Sequence, residues 1–258
     1  MLYLETHPEA NNVLYTAETN CMIGVPSEHV FINADCFNIL PTIPDNSIDL
    51  VVTDPPYDFS NLGGSSDRIG QSLQKALAPV GGFCSSFDIP RFYKELKRIQ
   101  PKINAYIFCN KTQIPLYIKT FVTDGGCLFD VLIWNKTNPI PNYGGNKYSN
   151  DKEFCLYFKE SGALCKPSCF ADSRTIFTSP INQADRIRYR HPTIKPLSFI
   201  QTLIKNSSVE GDTILDPFGG SGTVSVACHL LNRNSISIEI DPTYFTIMTE
   251  RYLEIAQN

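Results

Sequence analysis

The chain has 258 residues, of which 42% are hydrophobic and 19% charged, enough to bury a full core. No apolar run of about 18 residues occurs, and the opening MLYLETHPEANN has neither a basic start nor an apolar stretch, so no membrane span or secretory leader is expected and the cytoplasm is the expected compartment. A formal net charge of −4 argues against nonspecific coating of nucleic acid, while nine cysteines without paired spacing suit reduced thiols; only Cys165 and Cys169 are close-set, too little for a zinc site, so no metal is expected.

Taken in chain order, apolar and β-branched runs predict strands at 29–34 (HVFINA) and 48–53 (IDLVVT), the second ending in Asp54-Pro55-Pro56-Tyr57. Residues 58–82, rich in Gly and Ser, carry no period and predict a long functional loop. A helix at 90–100, a strand at 103–108 and a helix at 112–122 follow, the cations of RFYKELKR (91–98) reading as a solvated helix face. Strands at 128–134 and 154–159 enclose a loop without helical pattern and predict an antiparallel pair. Residues 160–190 stay unassigned, and RIRYRHPTIK at 186–195 reads as an exposed, phosphate-seeking loop. A helix at 196–206 opened by proline, a strand at 213–216, a helix at 222–232, a strand at 235–240 and a helix at 242–255 complete the chain. Strands alternating with helices imply one α/β domain over 1–258, its mostly parallel sheet covered on both faces.

The stretch TILDPFGGSGTVSVACHLL (213–231) runs from strand through a glycine turn into a helix, which lets a backbone approach a ligand and aims free N–H groups at it. A nucleotide-like ligand is implied. Neither a Gly-Lys-Ser/Thr phosphate loop nor the third glycine of a dinucleotide fingerprint is present, Ser225 standing in that place. About twenty residues on, SISIEI ends in Glu239, where an acid in such folds hydrogen-bonds ribose hydroxyls; a plain helix-start acid is the alternative.

Asp-Pro-Pro-Tyr at one strand end, with Asp-Pro-Phe-x-Gly-Ser-Gly-Thr at another, resembles the exocyclic-amino DNA methyltransferases that use S-adenosylmethionine. Because 54–57 precedes 216–223, with HPTIKP (191–196) just ahead of the latter, the order resembles the permuted β class. The resemblance implies a Rossmann-like sheet of seven strands with one antiparallel, in the spatial sequence 29–34, 235–240, 213–216, 48–53, 103–108, 128–134, 154–159. It implies that Asp216, Phe218, Gly219, Gly220, Ser221, Gly222 and Thr223 hold the methionyl part of the cofactor, Glu239 its ribose and Asp35 its adenine, with Thr193 and Lys195 near its carboxylate. The partner implied is double-stranded DNA, which Arg68, Arg186, Arg188 and Arg190 would hold; 160–190 is a small candidate target-recognition insert, and a homodimer is compatible with this reading.

An exocyclic amino group is a poor nucleophile because its lone pair is delocalised into the ring. A carboxylate (Asp54) and a carbonyl (Pro55), each accepting one amino N–H, would relocalise it, the two prolines would fix the backbone direction, and Tyr57 would stack on the flipped base. Cytosine N4 in place of adenine N6, an RNA or protein-glutamine substrate, and a catalytically silent DNA-binding subunit are the rival readings. Asp rather than Ser at 54 favours adenine, Asp rather than Asn at 54 and the motif order favour DNA, and both motifs being intact favours an enzyme.

Overall fold

The computed structural model describes residues 15–19 (backbone), 27–57, 87–139, 141 and 148–257. The loop 58–82, with Arg68, lies outside them. Nine strands form one sheet: β1 (Tyr15–Thr19), β2 (Ser27–Asn33), β3 (Leu50–Thr53), β4 (Asn104–Cys109), β5 (Leu128–Lys136), β6 (Lys152–Lys159), β7 (Ile176–Ser179), β8 (Thr213–Asp216) and β9 (Asn234–Glu239), in the spatial order β1-β2-β9-β8-β3-β4-β6-β5-β7. The strands from β2 to β4 are mutually parallel; β1 and β6 run against the rest.

The expected parallel core is present, with two corrections. First, β6 pairs with β4, and β5 lies outside β6, the reverse of the expected placement. The burial explains it: Cys155–Phe158 of β6 is buried throughout, whereas Leu128–Asp130 of β5 is exposed. An uninterrupted apolar run suits an interior strand covered on both faces, and Asp130 suits an outer one. Second, the sheet is extended at both edges by β1 and β7, short strands whose sequences YTAET and IFTS carry little apolar signal.

The helices are α1 (Cys36–Ile39, continued by a 3₁₀ turn Leu40–Thr42), α2 (Ile89–Ile99), α3 (Ile114–Tyr117, continued by a π-helical stretch Ile118–Asp124), α4 (Gln183–Arg188), α5 (Leu197–Ser207), α6 (Thr223–Leu230) and α7 (Pro242–Ala256). α4 was not expected; Asn182 caps it by accepting the Asp185 N–H, so part of the basic stretch is helix rather than loop.

Strand alternation divides the core. Ala105, Ile107 and Cys109 of β4 face the α2 and α3 side with Phe92, Leu96 and Tyr117, while Tyr106 and Phe108 face the α5 and α6 side with Phe199, Leu203 and Ala227. α7 closes the β2 end through Phe31, Phe245, Met248 and Tyr252. The seven cysteines described are free thiols, five of them buried. Among the described residues, no helix is long and apolar enough to cross a membrane and no group of side chains forms a metal site.

Candidate active site

In parallel sheets, ligand sites gather beyond the carboxyl ends of the strands, where the chain leaves each strand for a loop. Four adjacent strands here deliver an acid to that edge: Asp35 just after β2, Glu239 ending β9, Asp216 ending β8 and Asp54 just after β3. They line one cleft of about 690 Å³, a size suited to a small organic ligand. The same cleft is lined by Pro56, Thr193, Lys195, Phe218, Gly219, Gly220, Ser221 and Thr223. Pro55, Tyr57 and Gly222 do not line it; Gly222, with φ of 74°, caps α6 from behind, packed on Met248.

The two motifs are joined directly. Thr53 Oγ1 donates to Asp216 Oδ1 at 2.8 Å, and the same oxygen accepts the Phe218 N–H at 3.1 Å. Burial drives the Asp216 carboxyl up to about 7, with these two donors opposing the rise and Asp54 and Glu239 adding to it. Glu239 braces the glycine turn, accepting the Gly220 N–H at 2.8 Å and the Asp241 N–H at 2.9 Å. From α7, buried Arg251 donates to the Ser221 carbonyl at 3.0 Å and to Thr223 Oγ1 at 3.0 Å.

The turn has no room for a side chain. Gly220 has φ of 51°, and a Cβ there would sit 3.1 Å from His191 Nε2. His191 lines the cleft and is held neutral, its value lowered to about 4 by burial and then by Lys195, Arg251 and Arg186. Its Nδ1 accepts the Thr193 N–H at 3.3 Å, which assigns the proton to Nε2, facing the turn. At the opposite end, Phe37, Phe87 and Phe218 make a chain of ring contacts, Phe37–Phe87 stacked at 5.8 Å and Phe87–Phe218 edge-on at 5.3 Å, with the Arg91 guanidinium 4.4 Å from the Phe37 ring centre. Asp35 caps α1 through the Phe37 N–H.

Asp54 stands at the floor of the cleft with a quarter of its side chain exposed. Its Oδ2 is held by Lys195 Nζ. Oδ1 is buried, and the Tyr57 hydroxyl donates a hydrogen bond to the Asp54 carboxylate. Desolvation raises the Asp54 carboxyl, against the pull of Lys195. Gln113 Nε2 donates to the Pro56 carbonyl at 3.2 Å and so ties the motif to the start of α3, while the Pro55 carbonyl receives no hydrogen bond from the described residues. Lys195 therefore sits against Asp54, its ammonium also 2.9 Å from Glu153 Oε2.

Sequence reading missed several of these residues. Glu153 lies one position before the apolar run in which β6 was recognised, and Lys136 two past the end of the β5 run. The signal was a charged residue at each inner end of an expected hairpin. Arg186 donates to the Pro192 carbonyl and Arg188 pairs with Glu254, whereas Arg190 is exposed without a partner among the described residues.

Comparison with known proteins agrees with this geometry. The family described as DNA methylase (N6_N4_Mtase) matches residues 48–250. Type II methyltransferase M.HinfI of Haemophilus influenzae is 30% identical over 89% of this chain and 70% of its own. The fold resembles the crystal structure of the M1.HpyAVI–SAM complex (TM-score 0.65, 24% identity, 86% of this chain and 99% of that one) and the cytosine-N4-specific PvuII DNA methyltransferase (TM-score 0.65, 14% identity, 89% and 91%). With its two motifs brought to one cleft in β-class order and about four fifths of its length matched, the chain belongs to the exocyclic-amino N6/N4 DNA methyltransferases.

Proposed function

We propose that this protein methylates adenine N6 in double-stranded DNA, with S-adenosylmethionine as methyl donor and the target base flipped out of the duplex. The observation that carries the reading is the Thr53–Asp216 hydrogen bond, which joins the strand end bearing Asp54 to the glycine cradle in one cleft. The cleft suits the cofactor: Glu239 offers spare lone pairs to ribose hydroxyls, the Phe37, Phe87 and Phe218 rings offer an apolar slot to adenine, and the Gly220 turn leaves the space a side chain would fill.

Bound S-adenosylmethionine supplies a methyl on a positively charged sulfur, and in-line attack forms the N–C bond while the S–C electron pair stays on sulfur. The chain's own work is to prepare the nitrogen. The Asp54 carboxylate accepts one amino N–H and the Pro55 carbonyl the other, which draws the lone pair out of the ring and stabilises the positive charge that develops there. On becoming a secondary amine the nitrogen sheds one proton. Asp54, its basicity raised by burial, is the acceptor the chain offers. Tyr57 supplies a stacking face, and no covalent enzyme intermediate is required.

A cytosine-N4 reading is kept as the second, since a cytosine-N4 enzyme shares this fold equally well; Asp at position 54 favours adenine. The segment 160–190, with β7 and α4, is assigned to target recognition, and Arg186, Arg188 and Arg190 to the DNA side of the cleft. Sequencing DNA from cells expressing the protein, with modified bases detected directly, tests base and site together. N6-methyladenine at one motif is expected; N4-methylcytosine would transfer the assignment to cytosine, and unmodified DNA would reject the activity.

A further inference from the structure

Behind Asp54 lies a buried chain of charges, two of which, Lys136 and Glu153, belong to no motif. Lys136 Nζ of β5 meets Glu153 Oε1 of β6 at 2.7 Å, Glu153 Oε2 meets Lys195 Nζ at 2.9 Å, and Lys195 holds Asp54 Oδ2. The side chains of Lys136, Glu153 and Lys195 are 9%, 16% and 8% exposed. Two cations balance two anions. Such a quartet is a costly way to fill space, because apolar residues of similar volume stabilise a core at least as well. Its presence at one end of the cleft asks for a use.

We infer that Glu153, backed by Lys136, is a positioning residue of the transfer site: it clamps Lys195 against Oδ2 of Asp54 and so fixes the carboxylate that is to meet the target amino group. The inference rests on the reading of Asp54 as the amino acceptor. Geometry confines the clamp on each side. The Lys195 ammonium lies 4.8 Å from the Phe108 ring centre and 5.9 Å from that of Tyr57, so rings limit its movement where Glu153 and Asp54 do not hold it. β6, the strand placed between β4 and β5, is what brings Glu153 within reach of a lysine some forty residues further along the chain.

The electrostatics agree. Burial would raise Glu153, yet Lys195 and Lys136 together hold it down at about 2; burial would lower Lys195, yet Asp54 and Glu153 hold it raised. The groups facing Asp54 are Lys195, Glu153, Tyr57, Asp216, Cys109, Tyr117 and Cys155. Of these, the thiols and phenols are pushed up by burial and stay neutral, so the charge next to Asp54 is set by Lys195 and Glu153, with Asp216 titrating near 7. Removing the Glu153 charge would leave Lys195 to Asp54 alone. Asp54 would then release its proton at lower pH and be a poorer acceptor.

The test is steady-state methylation of a duplex carrying the modified site, at a series of pH values. Glu153→Gln is expected to lower kcat between about tenfold and about a hundredfold, the scale of loss from misplacing a reacting group by about 1 Å, with the Kd for S-adenosylmethionine and the KM for DNA within a few-fold. The acid limb of its kcat profile should move to lower pH. Glu153→Asp, which keeps the charge but shortens the reach, should lower kcat with the acid limb in place, and this variant decides the matter if Glu153→Gln does not fold. Wild-type kcat in either variant, or a Glu153→Gln loss with an unmoved acid limb, would overturn the inference. Asp54→Ala run in parallel separates the failures: transfer by that variant would reject the role of Asp54 itself, whereas its inactivity beside a fully active Glu153→Gln would reject only the clamp.

Discussion

At the scale of single residues, the site concentrates acids that are costly to bury. Asp216 is the clearest. Its carboxyl is raised from an ordinary 3.8 to about 7 by burial, so above pH 7 the fold carries a desolvated charge that the unfolded chain does not. As pH falls from about 7 toward 4, the folded form takes up a proton that the unfolded chain refuses, and this group's cost is relieved. Asp216→Asn is therefore expected to raise the melting temperature at pH 8 by several degrees, with the advantage shrinking by pH 5, while weakening S-adenosylmethionine binding; a pH-independent difference between the two proteins would refute the assignment. Gly220 makes the complementary case. A side chain there meets both a left-handed backbone, worth about 1–2 kcal/mol against an L-residue, and the His191 ring. Gly220→Leu should abolish cofactor binding in calorimetry; unchanged affinity would mean the turn serves the fold alone.

At the scale of elements, each part of the site is held from a distance by another element. α7 reaches back to the glycine turn through Arg251, α3 secures the Asp54 motif through Gln113, and β6 carries Glu153. Arg251 is the most testable of these. It is buried, its value is lowered by burial, and its Nη1 donates to Ser221 and Thr223. Hydrogen bonds from a charged donor are worth about 1.5–3 kcal/mol, and their loss should fall on the turn. Arg251→Met is expected to lower the denaturation midpoint and also to weaken S-adenosylmethionine about tenfold. If stability drops while affinity is kept, the turn holds its shape without α7.

At the scale of the whole molecule, a net charge of −4 must still accommodate a polyanion, so DNA binding depends on local cations rather than overall field. The three arginines ahead of HPTIKP are not equivalent. Arg186 and Arg188 are committed to Pro192 and Glu254, and Arg190 is exposed at the rim, φ 47°. Arg190→Ala should flatten the slope of log affinity against log salt by about one unit, and Arg186→Ala should instead perturb the placement of His191 and Lys195. Equal slopes for wild type and Arg190→Ala would move the DNA to another face.

The parallel centre of the sheet, its flanking helices, the glycine turn and the Asp54 motif were legible in the sequence, because each is written locally: short β-branched apolar runs, glycines that let the backbone turn tightly, prolines that set a direction. Family resemblance then supplied the roles of Asp54, Asp216 and Glu239. What the sequence did not reveal depended on pairing between distant segments. The order of β5 and β6 follows from which strand buries more surface between its neighbours, and the edge strands β1 and β7 are too short and polar to announce themselves. The quartet through Lys136 and Glu153 exists only once β6 has inserted beside β4, since two charges at hairpin ends read alone as solvated, and only a folded interior obliges them to find partners.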